Sequence, residues 1–299
     1  MQKGSLRHGC LARMVVGGAF FLGLLPLPAF AHSEYLTSVS ALKSEINSPA
    51  ILILDTRSAQ AYGFDHIPGA VNLSPHTLDR TVTLASGATV PSMVKPAAEV
   101  TAILQAIGMN TATKVVIYAD RFEPSATRLF WVLDYYGKHD ISLLDGGLAQ
   151  WERDGASLSD SASAPRPRGD FVATPDPQKI ADYAYVERHL GSESTEICDA
   201  LPSDSFAQGA IPGSVSLPAS TFGNQGTLAA RAAWLAEAMR EHRLTPGHEV
   251  IFYCATGYLS SMDYFVARLL GYHRVRLYDG SLVDWTAHGG RLAPDGEGP

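Results

Sequence analysis

Short apolar runs recur along the chain, each closing on a polar or turn-forming residue. Ile51–Leu54, Val115–Tyr118 and Ser142–Leu144 are of this kind, and their length and β-branched content predict buried strands. Between them, Ala98–Ile107 and Ser125–Tyr136 carry apolar residues at helical spacing. The pattern then starts again. Glu196–Cys198, Val250–Tyr253 and Arg274–Tyr278 read as strands, and Ala229–Glu241 and Ser260–Leu270 as helices. Strands alternating with helices predict α/β architecture, with parallel sheets flanked by helices on both faces.

The second pass repeats the first at the level of single residues. Asp55 matches Asp199, and Ile67-Pro68-Gly69 matches Ile211-Pro212-Gly213, both at a separation of 144. Val116-Ile117-Tyr118 matches Ile251-Phe252-Tyr253 at 135. Gly137 matches Gly271, Leu144-Asp145-Gly146 matches Tyr278-Asp279-Gly280, and Trp151 matches Trp285, all at 134. Ordered matches with a slowly drifting offset indicate domain duplication, the second copy being shorter between its early and middle strands. A Ser-, Ala- and Pro-rich stretch, residues 159–177, reads as the linker between domains at 35–158 and 178–295.

The N-terminus departs from this pattern. Lys3, Arg7 and Arg13 precede the apolar run Met14–Leu25, and Ala29-Phe30-Ala31 places small residues where a signal peptidase reads. Residues 1–31 therefore have the shape of a cleaved secretory signal, with the site near Ala31 and a periplasmic or secreted product. The alternative is a membrane anchor, for which the run is short against the roughly 20 residues a span needs. The remaining composition, 46% hydrophobic and 18% charged overall, is that of a globular protein. Segment 1–31 has three basic residues and no acids, so its loss takes the formal charge from −7 to −10. No basic stripe remains to attract nucleic acid or an anionic membrane surface.

Of three cysteines, Cys198 and Cys254 lie beyond the signal segment. A disulfide between them is one reading in an oxidising compartment. The other treats Cys198, the counterpart of Leu54, as a small core residue. Cys254 has a distinctive setting. It follows the strand Val250–Tyr253 and precedes Ala255-Thr256-Gly257-Tyr258-Leu259 and the helical pattern from Ser260. Sites form at the carboxyl ends of strands in open α/β sheets. Consecutive loop N–H groups and a helix N-terminus both favour an anion, and so a reactive thiolate. Gly257 suits the tight curvature. The position of Cys254 in the first copy is Ala119.

The duplicated pattern of strand-Asp, Ile-Pro-Gly, strand-Tyr-Cys and Asp-Gly…Trp resembles the tandem rhodanese family over nearly the whole mature chain. The resemblance implies two tandem rhodanese-like domains, the first inactive and the second catalytic. It implies a sulfurtransferase of the thiosulfate or 3-mercaptopyruvate type. In such enzymes a six-residue loop starting with Cys cradles a persulfide sulfur with backbone amides. Here that gives Cys254 as nucleophile and the amides of Ala255, Thr256, Gly257, Tyr258, Leu259 and Ser260 as substrate-binding groups. Thiosulfate or 3-mercaptopyruvate would donate sulfane sulfur, and cyanide, a small thiol or a thiol protein would accept it. No metal or organic cofactor is implied, and Asp55 and Asp199 take structural roles.

The loop departs from that pattern in carrying no charge, whereas thiosulfate-using relatives usually have Arg or Lys within it. The first copy has Arg57 two residues after Asp55, but the corresponding position after Asp199 is Leu201. An anionic donor would then draw charge from Arg121 or Arg128 across the domain interface. A phosphatase, as found on a related fold, would need a longer loop closed by Arg, and Ser260 stands at that sixth position. A non-enzymatic periplasmic persulfide carrier or interaction module is the alternative of another class. Trp151 and Trp285 read as core aromatics, and the scattered histidines have no metal-ligand spacing.

Overall fold

A computed structural model describes residues 33–223 and 226–298. The signal-like segment 1–31, with Cys10, lies outside the described residues. The first half runs β1 (Leu36–Thr37), α1 (Val39–Glu45), β2 (Ile51–Asp55), α2 (Ala59–Phe64), β3 (Val71–Asn72), β4 (Asp79–Thr83) and β5 (Thr89–Val94). It continues through α3 (Ala97–Ala106), β6 (Lys114–Tyr118), α4 (Pro124–Tyr135), β7 (Ile141–Leu144) and α5 (Gly147–Arg153). The second half has β8 (Ile180–Ala181), α6 (Tyr183–Arg188), β9 (Thr195–Asp199), α7 (Ser203–Gln208) and β10 (Val215–Ser216). It ends with α8 (Ala232–Glu241), β11 (Glu249–Tyr253), α9 (Leu259–Leu269), β12 (Val275–Tyr278) and α10 (Ser281–Ala287).

The two halves have the same topology. One sheet has the order β1-β7-β6-β2-β3 and the other β8-β12-β11-β9-β10, with all pairs parallel. Alternate strand residues supply opposite faces, as a pleated strand must. In the first sheet Ile51, Ile53, Val116 and Tyr118 pack against α1 and α5 through Val39, Leu42, Leu148 and Trp151. Leu52, Leu54, Val115 and Ile117 face α3 and α4. That second core is continuous with residues of α8, α9, β9 and β11, so one apolar layer joins the two halves.

The Ile-Pro-Gly motifs have a common cause. The Tyr118 hydroxyl accepts the Ile67 N–H at 3.1 Å, and the Tyr253 hydroxyl accepts the Ile211 N–H at 3.0 Å. A tyrosine ending the central strand therefore fixes each motif. The drift in the repeat has a structural source too. The first copy inserts the antiparallel hairpin β4–β5 where the second passes from Phe222 towards α8 by short 3-10 turns.

The repeat becomes a pseudo-two-fold relation across the interface. Thr127 of α4 and Ser261 of α9, 134 residues apart and equivalent in the repeat, share a hydroxyl hydrogen bond of 2.7 Å. The Asp145 carboxylate accepts N–H groups of Leu228 and Ala229 from the second half. Its counterpart Asp279 accepts the N–H of Val94, the counterpart of Leu228, at 2.8 Å.

Candidate active site

Cys254 sits one residue past the end of β11, the central strand of the second sheet, and is 1% exposed. The chain then bends through Ala255–Tyr258 into α9 without a hydrogen-bonded turn. Among the described residues the N–H groups of Ala255, Thr256, Gly257 and Tyr258 have no acceptor. Four donors in sequence at the head of an eleven-residue helix form an anion-favouring cradle. Gly257 has φ +79°, and a Cβ there would lie 2.7 Å from the Asp279 carbonyl oxygen. The loop can make this turn only with glycine, for reasons of both backbone conformation and space.

The Cys254 N–H is committed elsewhere. It donates to Ser281 Oγ at 3.1 Å, and Ser281 Oγ donates to the Tyr278 carbonyl at 2.8 Å. Ser281 adopts φ +52°, a left-handed conformation uncommon for a residue with a side chain. Its counterpart is Gly147 at φ +62°, where a Cβ would lie 2.7 Å from the Ala119 carbonyl oxygen. The cysteine-bearing domain thus has a hydroxyl under its loop where the other has only space for hydrogen. Ser260 donates to Cys254 Sγ at 3.5 Å, a side-chain contact in addition to its place in the loop.

Beneath the nucleophile lie two buried carboxyl groups. Asp199 ends β9; its Oδ1 accepts the Leu201 N–H at 2.8 Å, while its Oδ2 makes no hydrogen bond of good geometry although the Tyr253 hydroxyl lies close to the carboxylate. Burial pushes its pKa up. In the first domain Arg57 holds Asp55 at 2.8 Å, so the change to Leu201 removes the neutralising guanidinium. Asp263 of α9 is wholly buried, and neither of its oxygens has a hydrogen-bond partner. Burial, with the nearby Cys254 and Asp199, raises its pKa well above the ordinary carboxyl range. Cys198 and Cys254 are both buried free thiols, and burial pushes the Cys198 pKa up.

The two arginines expected to meet an anionic donor are placed differently. Arg128 is wholly buried in α4 and already paired, with Asp279 Oδ1 at 2.7 Å and Asp79 Oδ1 at 3.2 Å. One cation between two carboxylates has no spare charge for a ligand, so that expectation is corrected. Arg121 is exposed on the first domain's own loop, its Cα beside Gly147 rather than in the Cys254 loop. Ser281 and Asp263 were missed in the sequence. Their signals were present: Ser281 stands opposite a glycine of the repeat, and Asp263 stands opposite Leu129 in an apolar stripe. The tryptophans are core residues, their indole N–H groups bonded to the Ser157 and Arg291 carbonyls.

The described residues include no group of three or more side chains able to hold a metal, and no helix long and apolar enough to cross a membrane. A family model for the rhodanese-like domain matches residues 38–154 and 182–288. A thiosulfate sulfurtransferase of Pseudomonas aeruginosa is 29% identical over 271 residues, covering 88% of this chain and 97% of that protein. A probable 3-mercaptopyruvate sulfurtransferase of the same organism is 29% identical over 284 residues, covering 89% and 99%. The crystal structure of a 3-mercaptopyruvate sulfotransferase from Escherichia coli superposes with a TM-score of 0.74 at 25% identity, covering 83% of this chain and 98% of that one.

Proposed function

The chain belongs to the rhodanese-like family and is a sulfurtransferase, and we propose that it moves sulfane sulfur from a small donor to a thiophilic acceptor through a persulfide on Cys254. The observation that carries this reading is the row of acceptor-free N–H groups around a cysteine at the end of the central strand. The equivalent position in the first domain is Ala119, which has no nucleophile.

The Cys254 thiolate attacks the outer sulfur of the donor. With thiosulfate the donor S–S bond breaks and sulfite leaves with the electron pair. With 3-mercaptopyruvate the C–S bond breaks and the enolate of pyruvate leaves, to be protonated at carbon. Cyanide or a thiolate then attacks the outer sulfur of the persulfide and restores the Cys254 thiolate. This is covalent catalysis in two half-reactions. The loop N–H groups stabilise the terminal sulfur anion by preorganised dipoles. A loop with no charged side chain offers a doubly charged donor no counter-ion, which favours singly charged 3-mercaptopyruvate over thiosulfate.

Mass spectrometry tests this. Incubation with either donor should add about 32 Da to Cys254, the mass of one sulfur atom, and cyanide should remove it. Cys254→Ser should neither load nor turn over. An unmodified Cys254 with both donors would sink the proposal. Loading that cyanide does not discharge would instead favour a persulfide carrier. From the signal-like pattern of residues 1–31 we also propose that the protein is periplasmic or secreted after their removal. Protein from a periplasmic fraction should begin at His32, and retention of Met1 would exclude this.

A further inference from the structure

The pseudo-two-fold interface is asymmetric at the rim of the Cys254 loop. Arg128 of the first domain reaches both sides of the rim. Its Nη1 lies 3.1 Å from where a Gly257 Cβ would stand and 2.7 Å from Asp279 Oδ1. Its Nη2 donates to the Ser92 carbonyl at 2.7 Å, and its guanidinium carbon is 5.2 Å from the centre of the Tyr258 ring. Asp79, also of the first domain, accepts a hydrogen bond of 2.5 Å from the Tyr258 hydroxyl. Asp279 leads through Gly280 to Ser281, whose hydroxyl holds the Cys254 N–H.

The loop of the first domain is held differently: Arg57 of the same domain reaches Asp120 at 3.3 Å, and Arg231 of the second domain interacts with Asp145 without a salt bridge among the described residues. The position of Arg128 in the second copy is Met262, which has no charge. Asp79 begins the hairpin β4–β5, which has no counterpart among the described residues of the second copy. The aspartate bonds to Val94 and Leu228 are symmetric, but among the described residues a cross-domain guanidinium at salt-bridge distance from the turn aspartate, and a cross-domain phenol hydrogen bond to the loop, are found only at the domain with a thiol. Interface stability alone would not require that asymmetry. A guanidinium offers donors in a fixed fork, so it sets the direction as well as the closeness of its partners.

We infer that Arg128 and Asp79 are positioning residues for the Cys254 loop, so the thiol-less domain completes the site of its neighbour. Arg128, paired on both sides, binds no donor. Through Gly257, Tyr258 and Asp279 it fixes the directions of the loop N–H groups. This rests on the proposed Cys254 chemistry for its catalytic readout, but its structural content is separable.

The test uses Tyr258→Phe, which removes one hydroxyl, Arg128→Lys, which keeps the charge and loses the fork, and Asp79→Asn. Turnover is divided by the amount of Cys254 that native protein gives up to iodoacetamide, which corrects for misfolded material. Misaligned donors should lower kcat per reactive Cys254 by roughly tenfold in Arg128→Lys, and less in Tyr258→Phe, with KM changed much less. The pH midpoint of Cys254 alkylation should rise in both, because a loosened cradle stabilises the thiolate less. Unchanged kcat per reactive site and an unchanged midpoint in both variants would overturn the inference, even if both proteins melt earlier. The alkylation profile needs no sulfur donor. If the wild type fails to load sulfur, the proposed chemistry fails, and the positioning role is still decided by the midpoint.

Discussion

At position 281 a serine replaces the glycine found at position 147 of the repeat, and the hydroxyl it brings is bonded to the Cys254 N–H. Holding a non-glycine residue at φ +52° costs about 1 kcal/mol or more. Ser281→Gly relieves that cost but removes the acceptor, so it should leave stability nearly unchanged while slowing persulfide formation. Ser281→Ala keeps the cost and loses both hydrogen bonds, so it should lower stability by about 1–2 kcal/mol. Urea unfolding beside single-turnover loading separates the two. The buried carboxyls give a second prediction. Asp199 and Asp263 have raised pKa values when folded. From the unfolded carboxyl value near pH 4 up to those raised values the folded protein holds more protons, so stability falls as pH rises. Each group contributes about 1.4 kcal/mol per pH unit across its window. Asp263→Leu, matching Leu129 of the repeat, should be more stable than wild type at pH 8, with the gap closing towards pH 4. Parallel stability curves for the two proteins would exclude this account.

The strand–loop–helix element β11 to α9 carries the chemistry, and its outline is visible in the residue pattern. A run of apolar β-branched and aromatic residues, then Cys254, then a glycine, then a helical stripe specifies strand, loop and helix by local rules. Gly257→Ala should break it, because the added methyl meets the Asp279 carbonyl and the left-handed backbone disfavours a side chain. A stability loss of about 1–3 kcal/mol, with loss of sulfur loading, is expected by calorimetry and mass spectrometry. The hairpin β4–β5 was not legible in the same way. Several of its residues are exposed or half-exposed, and Pro91 interrupts β5, so neither strand shows a buried run. The short edge strands β1, β3, β8 and β10 have two residues each, too few for any periodicity.

At the scale of the whole molecule, the apolar layer shared by α4 and α9 makes the two domains one cooperative body. Phe130 meets Phe265 edge-on with ring centres 4.8 Å apart, and Tyr35 meets Phe130 edge-on at 5.2 Å in the same layer. The Tyr264 hydroxyl donates to Asp134 at 2.7 Å across the same interface. The chain should therefore unfold in one calorimetric transition, with equal van't Hoff and calorimetric enthalpies. Phe265→Ala should cost about 3–5 kcal/mol. It should lower the single transition rather than split off a second domain. Two resolved transitions in the wild type would contradict a shared core.

The sequence by itself determined the duplication, the parallel α/β sheets and the identity of the one cysteine at a strand end. These follow from periodicity and from residues within a few positions of one another, where local conformational rules act. Tertiary structure alone decided what surrounds that cysteine. Arg128, Asp79 and Val94 reach the Cys254 loop and the Asp279 turn from more than 120 residues away. Whether a buried arginine faces a ligand or two carboxylates depends on packing across an interface, and no short-range pattern records it.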